Sequence, residues 1–207
     1  MEKTLLLSLY SATRGTSWKN RSKWNSNDPI CSWDGVRCEN GNVDDASGVT
    51  GIDLEGNNLI GTMPASIWKL PFLKTVNFQD NKELHVNFND MSEADSLESI
   101  FFSRCRVDSV FGISQAKKLR KVHLTECGIS GRFPEEIFNM ANTLEGIYIA
   151  YNSFTGTLSS RIGQMTNLIS FFAHDNEFSG SIPTQLGTMS NLQDFGKRFM
   201  SCMLLWS

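Results

Sequence analysis

The sequence contains few histidines, cysteines and prolines, and it has no long apolar run. Its 207 residues include 3 His, 5 Cys and 5 Pro. No Cys-x-x-Cys or His-x-x-x-His pair supplies the spacing of a zinc site. No apolar stretch approaches the ~20 residues that a membrane-spanning helix needs. With 40% hydrophobic and 20% charged residues, the composition predicts a soluble folded protein.

The charge distribution gives little reason to expect a nucleic-acid partner. The net charge is −3, and the basic run KKLRK at 117–121 is interpreted as a solvated turn. Near the N-terminus, LLLSLY is too short and lacks a small-residue cleavage site, so it does not read as a clear export signal. The pattern there predicts an amphipathic helix of about 12 residues.

The stretch CSWDGVRC at residues 31–38 places two cysteines seven positions apart. Such a pair can bind a metal, carry redox chemistry or staple a short turn. The local sequence leaves these three alternatives open.

Internal repetition is the dominant signal. Leucines recur at 73, 97, 119, 144, 168 and 192, which gives spacings of 22 to 25 residues. In the same register, one column reads Asn57, Asn81, Cys105, Cys127, Asn152 and Asn176. Before it, alternating apolar residues predict a short strand with one buried side. One such strand buries too little surface alone, so the repeats are predicted to stack into a parallel sheet over a continuous core.

The Asn column has a specific physical role in such a stack. Where the chain turns inward, backbone amides become buried and need partners, and an Asn side chain both donates and accepts hydrogen bonds. Two positions later, an apolar column is expected to fill the interior: Leu59, Val107, Ile129, Phe154 and Phe178. Segments such as GTMP and GSIP then turn the chain to the outer face. The second and third repeats lack this segment, so a less regular outer wall is expected there.

These columns resemble the plant-type leucine-rich repeat, best kept in NLISFFAHDNEFSGSIPTQLGTMSNLQDF. The stretches LLLSLYSAT, GTSWKNRSKW and CSWDGVRC resemble the cap that precedes such repeats, and the resemblance covers residues 5 to about 195. It implies an α/β solenoid, a right-handed superhelix with a parallel concave β-sheet. Short helical, 3₁₀ and extended segments would form the convex side, behind an N-terminal helical cap. Receptor ectodomains, receptor-like proteins and secreted inhibitors of cell-wall-degrading enzymes have this form.

Three segments are predicted from the pattern. Residues 1–48 would form the cap, 49–195 about six repeats of 22–25 residues, and 196–207 a divergent tail. The tail loses the strand and Asn pattern after Phe195. It predicts either an improvised cap or a fragment of a longer array, and the second reading is favoured.

The resemblance also implies a disulfide between Cys31 and Cys38 that fixes the chain over the first repeat. Zinc would need two further ligands, and redox exchange favours a tighter spacing. Trp33, Trp24 and Trp18 are expected to cover the open end of the core. Cys105 and Cys127 replace Asn at the column positions of two adjacent repeats and are expected to be free thiols. A disulfide between them is the less favoured alternative. Cys202 is taken as a free thiol.

No catalytic, metal or cofactor site is predicted. His123 and His174 would both project from the concave sheet, but they belong to repeats two apart, ~10 Å along the array. That separation is too large for them to share a metal or a proton. No nucleophile has a histidine within reach by register, and no phosphate-binding glycine loop is present. The chain is therefore predicted not to be an enzyme.

The remaining prediction is recognition on the concave face. Phe101, His123, Tyr148 and Phe172 share one outward column, and Arg104, Glu126 and Tyr151 lie near its edge. Contiguous exposed aromatics tend to mark interaction surfaces, so these seven residues are the predicted ligand-binding site, for a protein, peptide or glycan. Alternatively, cross-strand stacking only stabilises the sheet, and Asp80, Arg104 and Glu126 are ordinary lateral ion pairs. The alternative functions are a structural or surface-coat solenoid without a ligand, and the ectodomain fragment of a receptor kinase.

An extracellular or cell-surface location follows from the resemblance and the expected disulfide. Asn20-Arg21-Ser22 is a candidate glycosylation acceptor in the cap loop.

Overall fold

A computed structural model describes residues 1–39 and 48–195. The chain begins with a helix, α1 (Glu2–Ala12), which buries Leu6 and Leu9. Their three-residue spacing places them on one helical face, as the N-terminal pattern predicts. The helix ends at Ala12 and is followed by the C-cap residue Thr13, whose hydroxyl donates to the carbonyl of Leu9 over 2.7 Å. The tail predicted at 196–207, with Cys202, lies outside the described residues, as do residues 40–47 of the predicted cap.

Fourteen short strands lie in the described ranges. In chain order they are β1 (Val36–Cys38), β2 (Val49–Asp53), β3 (Ile60–Thr62), β4 (Thr75–Asn77), β5 (Glu83–Val86), β6 (Ser99–Phe101), β7 (Arg106–Val107), β8 (Lys121–His123), β9 (Ser130–Arg132), β10 (Gly146–Tyr148), β11 (Ser153–Thr157), β12 (Ser170–Phe172), β13 (Glu177–Ser179) and β14 (Asp194–Phe195). The connecting 3₁₀ helices are Gly15–Ser17, Ile30–Ser32, Ala65–Lys69, Met91–Glu93, Ile113–Gln115, Glu135–Met140, Ser160–Gln164 and Thr184–Thr188.

Eight strands form the main sheet, in the order β1-β2-β4-β6-β8-β10-β12-β14. The cap strand β1 pairs antiparallel with β2, and the strands after it pair parallel in register. The central residues of the repeat strands align across the sheet and are almost completely buried: Ile52, Val76, Ile100, Val122, Ile147 and Phe171. The predicted leucine-rich repeat solenoid, with one side of each strand in a continuous core, is therefore confirmed.

The strands that come directly after the ladder positions in the chain form two smaller parallel sheets. Strands β3, β5 and β7 form one, and strands β9, β11 and β13 form the other. The outer wall is less regular in the second and third repeats, as predicted. Their 3₁₀ helices, Met91–Glu93 and Ile113–Gln115, have three residues each, whereas those of the first and fourth repeats have five and six. Of the apolar residues expected to fill the interior, Phe178 is only partly buried.

The Asn column forms the hydrogen-bonded ladder that its chemistry suggests. Asn152 Oδ1 accepts from the backbone amides of Cys127 and Ile129, each over 3.0 Å. Its Nδ2 donates to the carbonyl of Leu124 in the preceding repeat, over 2.8 Å, and to that of Ile149 in its own. The Asn152 side chain therefore satisfies buried backbone groups of two repeats, and the Ile149 carbonyl also accepts from Asn176 Nδ2 over 2.9 Å.

The two cysteines in the ladder keep part of this function. Cys105 Sγ donates to the carbonyl of Phe78, over 3.0 Å, and Cys127 Sγ to that of Phe102, over 3.2 Å. Both thiols are free and buried, so the alternative disulfide between them is absent. Each thiol therefore retains the donor bond to the preceding repeat.

The cap closes one end of the core with aromatic rings. Cys31 and Cys38 form a disulfide with their Cα atoms 5.6 Å apart, which ties β1 to the preceding 3₁₀ turn. Trp24 packs against Trp18, with ring centroids 4.8 Å apart, and against Trp33, at 5.0 Å. All three indoles are buried, and each indole N–H donates to a backbone carbonyl. The rings therefore cover apolar surface without leaving an unsatisfied donor.

Candidate functional site

The outward face of the main sheet is organised by its register. Parallel pairing places six side chains in one column, one from each repeat: Asp53, Asn77, Phe101, His123, Tyr148 and Phe172. The column is polar in the first two repeats and aromatic in the next four. The four predicted aromatic site residues are therefore brought together, on consecutive strands.

The four rings stack on one another. The centroids of Phe101 and His123 are 4.4 Å apart, those of His123 and Tyr148 are 4.0 Å apart, and those of Tyr148 and Phe172 are 5.2 Å apart. In the last two pairs the ring planes are nearly parallel, with interplanar angles of 14° and 10°. Because the ring faces contact one another, the column is half-buried. The rings thus combine the cross-strand stacking considered from the sequence with partial exposure on the sheet face.

A glycine makes this arrangement possible at Tyr148. A Cβ atom on Gly146 would lie 2.8 Å from the Tyr148 ring, closer than any ordinary contact. The ring therefore leans over the backbone at position 146, two residues earlier on the same strand. The columns considered from the sequence omitted this position, although a glycine at the start of a strand was a readable signal.

The stack changes the chemistry of His123. Burial lowers the pKa of its imidazole to about 4, and the nearby positive charge of Lys121 contributes to the same shift. The ring is therefore neutral at ordinary pH and behaves as an aromatic surface rather than as a cation.

The polar half of the face is held by internal contacts that involve the cap. Arg37 of β1 donates to Asp53 over 2.7 Å. Asn77 Nδ2 donates to Asp53 over 3.1 Å and to Glu55 over 3.0 Å. The sequence reasoning did not identify Arg37 as part of this face, because the antiparallel pairing of β1 with β2 was not foreseen.

The column just before the ladder has an unexpected backbone conformation. Every residue in it has positive φ, between 53° and 61°: Gly56, Asp80, Arg104, Glu126, Tyr151 and Asp175. This left-handed region is favoured by glycine and tolerated by Asp, whereas a bulky side chain such as Tyr is rare there. Gly56, Asp80 and Asp175 were the signal in the sequence that could have revealed it.

Within this column, Arg104 is engaged by Asp80. Its Nε and Nη2 atoms donate to the two carboxylate oxygens, the Nη2 bond being 2.6 Å long. This bond lowers the pKa of Asp80 and raises that of Arg104. Of the seven predicted ligand-binding residues, Arg104 therefore already has a strong intramolecular partner.

Tyr151 and His174 lie beside the aromatic stack, at the rim of the sheet where the strands approach the ladder. Tyr151 is 51% exposed, and its ring meets that of His174 edge-on, with centroids 5.2 Å apart. His174 also lies against Phe172, at 6.3 Å. The rim and the aromatic stack are thus one connected surface, and His174 was not among the predicted site residues.

The described residues contain neither a cluster of metal ligands nor a membrane-spanning helix. In the described ranges, no group of three or more His, Cys, Asp or Glu side chains is arranged to hold a metal ion. Across residues 1–39 and 48–195, no helix has both the length and the apolar character required to cross a bilayer.

Comparison with family models agrees with the fold. A model described as a leucine rich repeat N-terminal domain matches residues 1–39, and one described as a leucine rich repeat matches residues 118–140. The two models match the cap and one repeat, in agreement with the capped leucine-rich repeat solenoid of the structure.

Curated relatives are plant receptor proteins. A receptor-like protein kinase of Arabidopsis thaliana is 36% identical over 80 residues, which cover 39% of this chain and 7% of the relative. Receptor-like protein 49 of Arabidopsis thaliana is 27% identical over 140 residues, which cover 66% of this chain and 14% of the relative. The chain thus spans less than one sixth of the length of either relative.

Solved structures share the same architecture. The Arabidopsis receptor kinase HAESA, in complex with the peptide hormone IDA and the co-receptor SERK1, gives a TM-score of 0.82 at 22% identity, covering 94% of this chain and 33% of that one. A plant ice-binding protein gives a TM-score of 0.79 at 20% identity, covering 90% of this chain and 59% of that one. These likenesses establish the fold, and the difference between the two proteins shows that the fold alone does not determine function.

Proposed function

We propose that this chain is a non-catalytic recognition module that binds a peptide segment on its concave face. The observation that carries the proposal is the aromatic column, which runs across four consecutive strands and continues into the rim at Tyr151. At ~4.8 Å per strand, the four rings span about 14 Å, a length that an extended peptide of four or five residues matches. The solved complex of HAESA with a peptide hormone supports the same ligand class.

The ring geometry favours a peptide over a glycan. Aromatic platforms offer a flat apolar ligand the face of a ring. In this column the inner faces are occupied by neighbouring rings, with interplanar angles of 14° and 10°. The parts of the column that remain for a ligand are the ring edges and the outer faces of the two end rings, Phe101 and Phe172. Such edges suit the side chains and amides of an extended backbone.

The titration behaviour of the candidate reactive groups supports a non-catalytic role. Burial raises the pKa of the Cys105 and Cys127 thiols to about 12, so neither supplies a thiolate nucleophile. The lowered pKa of His123 leaves a weak base whose ring is held in the stack. The match to a receptor-like protein kinase covers 7% of that relative, and no kinase activity is proposed for these residues.

The test is selection of linear twelve-residue peptides from a random displayed library on the folded protein. Selected peptides are then titrated by calorimetry against the Tyr148→Ser/Phe172→Ser double variant. We expect at least a tenfold loss of affinity. Phe111→Ser is the matched control, because Phe111 is 71% exposed in the loop after β7, away from the column. The Phe111→Ser variant should bind the selected peptides with unchanged affinity.

The competing interpretation is a structural solenoid whose rings only stabilise the sheet. It predicts that the double variant loses stability while the selected peptides bind as before. The proposed function predicts a fall in Tm of only a few degrees, because each lost cross-strand pair contributes ~0.2–1 kcal/mol. Undiminished binding by the double variant would refute the concave-face site.

We also propose an extracellular or cell-surface location. The relatives are plant receptor proteins, and the Cys31–Cys38 disulfide is of a kind that persists in oxidising compartments. Asn20 is exposed. The side chain of Asn57 binds the backbone N–H and carbonyl of Asn20, which leaves the Asn20 side chain accessible to glycosylation. Mass spectrometry of protein from a secreting host should find both cysteines blocked and a glycan on Asn20. Free thiols at both positions would contradict the proposal.

A further inference from the structure

Three residues of the rim lie on consecutive rungs. The amide of Glu126 donates to the carbonyl of Ala150, over 3.0 Å, and the amide of Tyr151 to that of His174, over 3.1 Å. Glu126, Tyr151 and Asp175 therefore follow one another at about the strand spacing of ~4.8 Å. This row, with a tyrosine between two carboxylates, is called the acidic–aromatic rim.

The central residue of the rim is unusual for its position. Tyr151 has φ of 57°, and its ring is half exposed, with His174 packed against it edge-on. The equivalent position is filled by Gly56 in the first repeat and by Asp80 in the second, residue types that tolerate this backbone better. The contact with His174 helps to position the ring, and half of the residue remains exposed to solvent.

The charges on this face are unequally compensated. Arg37 is paired with Asp53 and Arg104 with Asp80. Glu126 lies near enough to Arg104 to raise its pKa, but the hydrogen bonds of that guanidinium go to Asp80. Asp175 has His174 Nε2 at 3.9 Å, beyond hydrogen-bonding distance. The two carboxylates beside Tyr151 therefore keep acceptor capacity for a cation.

We propose that the acidic–aromatic rim is the subsite for an arginine or lysine side chain of the bound peptide. The cationic group packs against the exposed part of the Tyr151 ring, and Glu126 and Asp175 accept its hydrogen bonds from either side. Apolar residues of the same peptide lie along the aromatic column, next to His174. This inference rests on the proposed function and adds the charge that the peptide must carry.

The experiment uses the peptides selected on the unmodified protein. Each peptide is resynthesised with its Arg or Lys residues replaced by Gln, one at a time, and titrated against the unmodified protein. It is also titrated against the Glu126→Gln/Asp175→Asn variant and against Tyr151→Asn, which removes the ring and keeps a residue type suited to positive φ. Glu93→Gln, on an exposed outer turn, is the matched charge control.

One cationic position in each peptide should be critical. Neutralising it should weaken binding to the unmodified protein at least tenfold, and to the Glu126→Gln/Asp175→Asn variant less than twofold, because the partner carboxylates are already gone. Tyr151→Asn should weaken the original peptide severalfold, and Glu93→Gln should bind as the unmodified protein does.

Failure of this inference can be told apart from failure of the proposed function. Peptides that need Tyr148 and Phe172 but carry no cation, or that bind the rim variants undiminished, overturn the subsite and leave the concave-face site intact. If no peptide is selected, or none depends on the aromatic column, both the subsite and the proposed function are refuted.

Discussion

Replacing Glu126 by glycine should stabilise the protein relative to replacing it by alanine. Both substitutions remove the same exposed side chain, which is within reach of Arg104 but leaves that arginine's hydrogen bonds to Asp80 unchanged. They differ only in the backbone at position 126, where φ is 57°. At most positions of a protein the order is reversed, because glycine loses more conformational freedom on folding.

The size of the difference follows from two opposing terms. An L-residue in the left-handed region is disfavoured by roughly 1–2 kcal/mol, and glycine does not incur that strain. Glycine in turn loses roughly 0.5–1 kcal/mol relative to alanine through the entropy of the unfolded chain. The Glu126→Gly variant should therefore be more stable than the Glu126→Ala variant by about 0.5–1 kcal/mol, a difference in Tm of ~1–4 °C for a chain of this size.

Thermal and urea unfolding of the two variants, followed by circular dichroism, measure the difference. Thr125 supplies the control, because it precedes Glu126 directly and lies outside the positive-φ region. There the glycine variant should be the less stable of the pair. If alanine is equal to or better than glycine at position 126 while the control behaves normally, the strain attributed to this column does not exist.

Three further predictions concern the ladder and the stack. Asn152→Ala should lower the free energy of unfolding by ~1–3 kcal/mol, measured by urea titration, because the amides of Cys127 and Ile129 and the carbonyl of Leu124 lose their side-chain partner. Cys105→Asn should be neutral or mildly stabilising in thermal melts, because an amide keeps the donor bond and restores an acceptor; a large loss would mean that the thiol is packed too tightly for Asn. The pKa of His123 is lower in the folded state, about 4, than its ordinary value near 6.5. Stability should therefore fall as pH falls from about 6.5 to 4, and His123→Phe should lack that part of the pH dependence.

The sequence predicted the core and the ladder because both depend on strict periodicity. Strand alternation and a fixed repeat length determine which residues lie at the centre of the sheet, such as Val76 and Ile147. The Asn column has few physical uses other than satisfying buried backbone groups, so its role could be inferred from residue type alone. The irregular outer wall followed from the absence of Gly-Pro segments in two repeats.

Features that depend on conformation rather than on periodicity were missed. The column from Gly56 to Asp175 was treated as ordinary strand surface. Glycine and aspartate in this column indicate a backbone with positive φ, but Arg104, Glu126 and Tyr151 are not typical of that conformation. Stacking of rings was considered only as an alternative, because register places rings side by side but does not fix their tilt. The contribution of Arg37 required the antiparallel pairing of the cap strand, which the repeat pattern does not contain.

From the first to the sixth ladder position, each junction between repeats uses the same chemical connection. The side chain at each ladder position donates to the carbonyl three residues before the ladder position of the preceding repeat: Leu54, Phe78, Phe102, Leu124 and Ile149. In the first repeat, Asn57 Nδ2 donates instead to the carbonyl of Asn20 in the cap, over 2.8 Å. As far as the ladder bond is concerned, one repeat can therefore follow another, or follow the cap, without a new kind of contact. Recombination between repeats can thus lengthen or shorten the array in whole units, and each added unit extends the main sheet by one strand, ~4.8 Å.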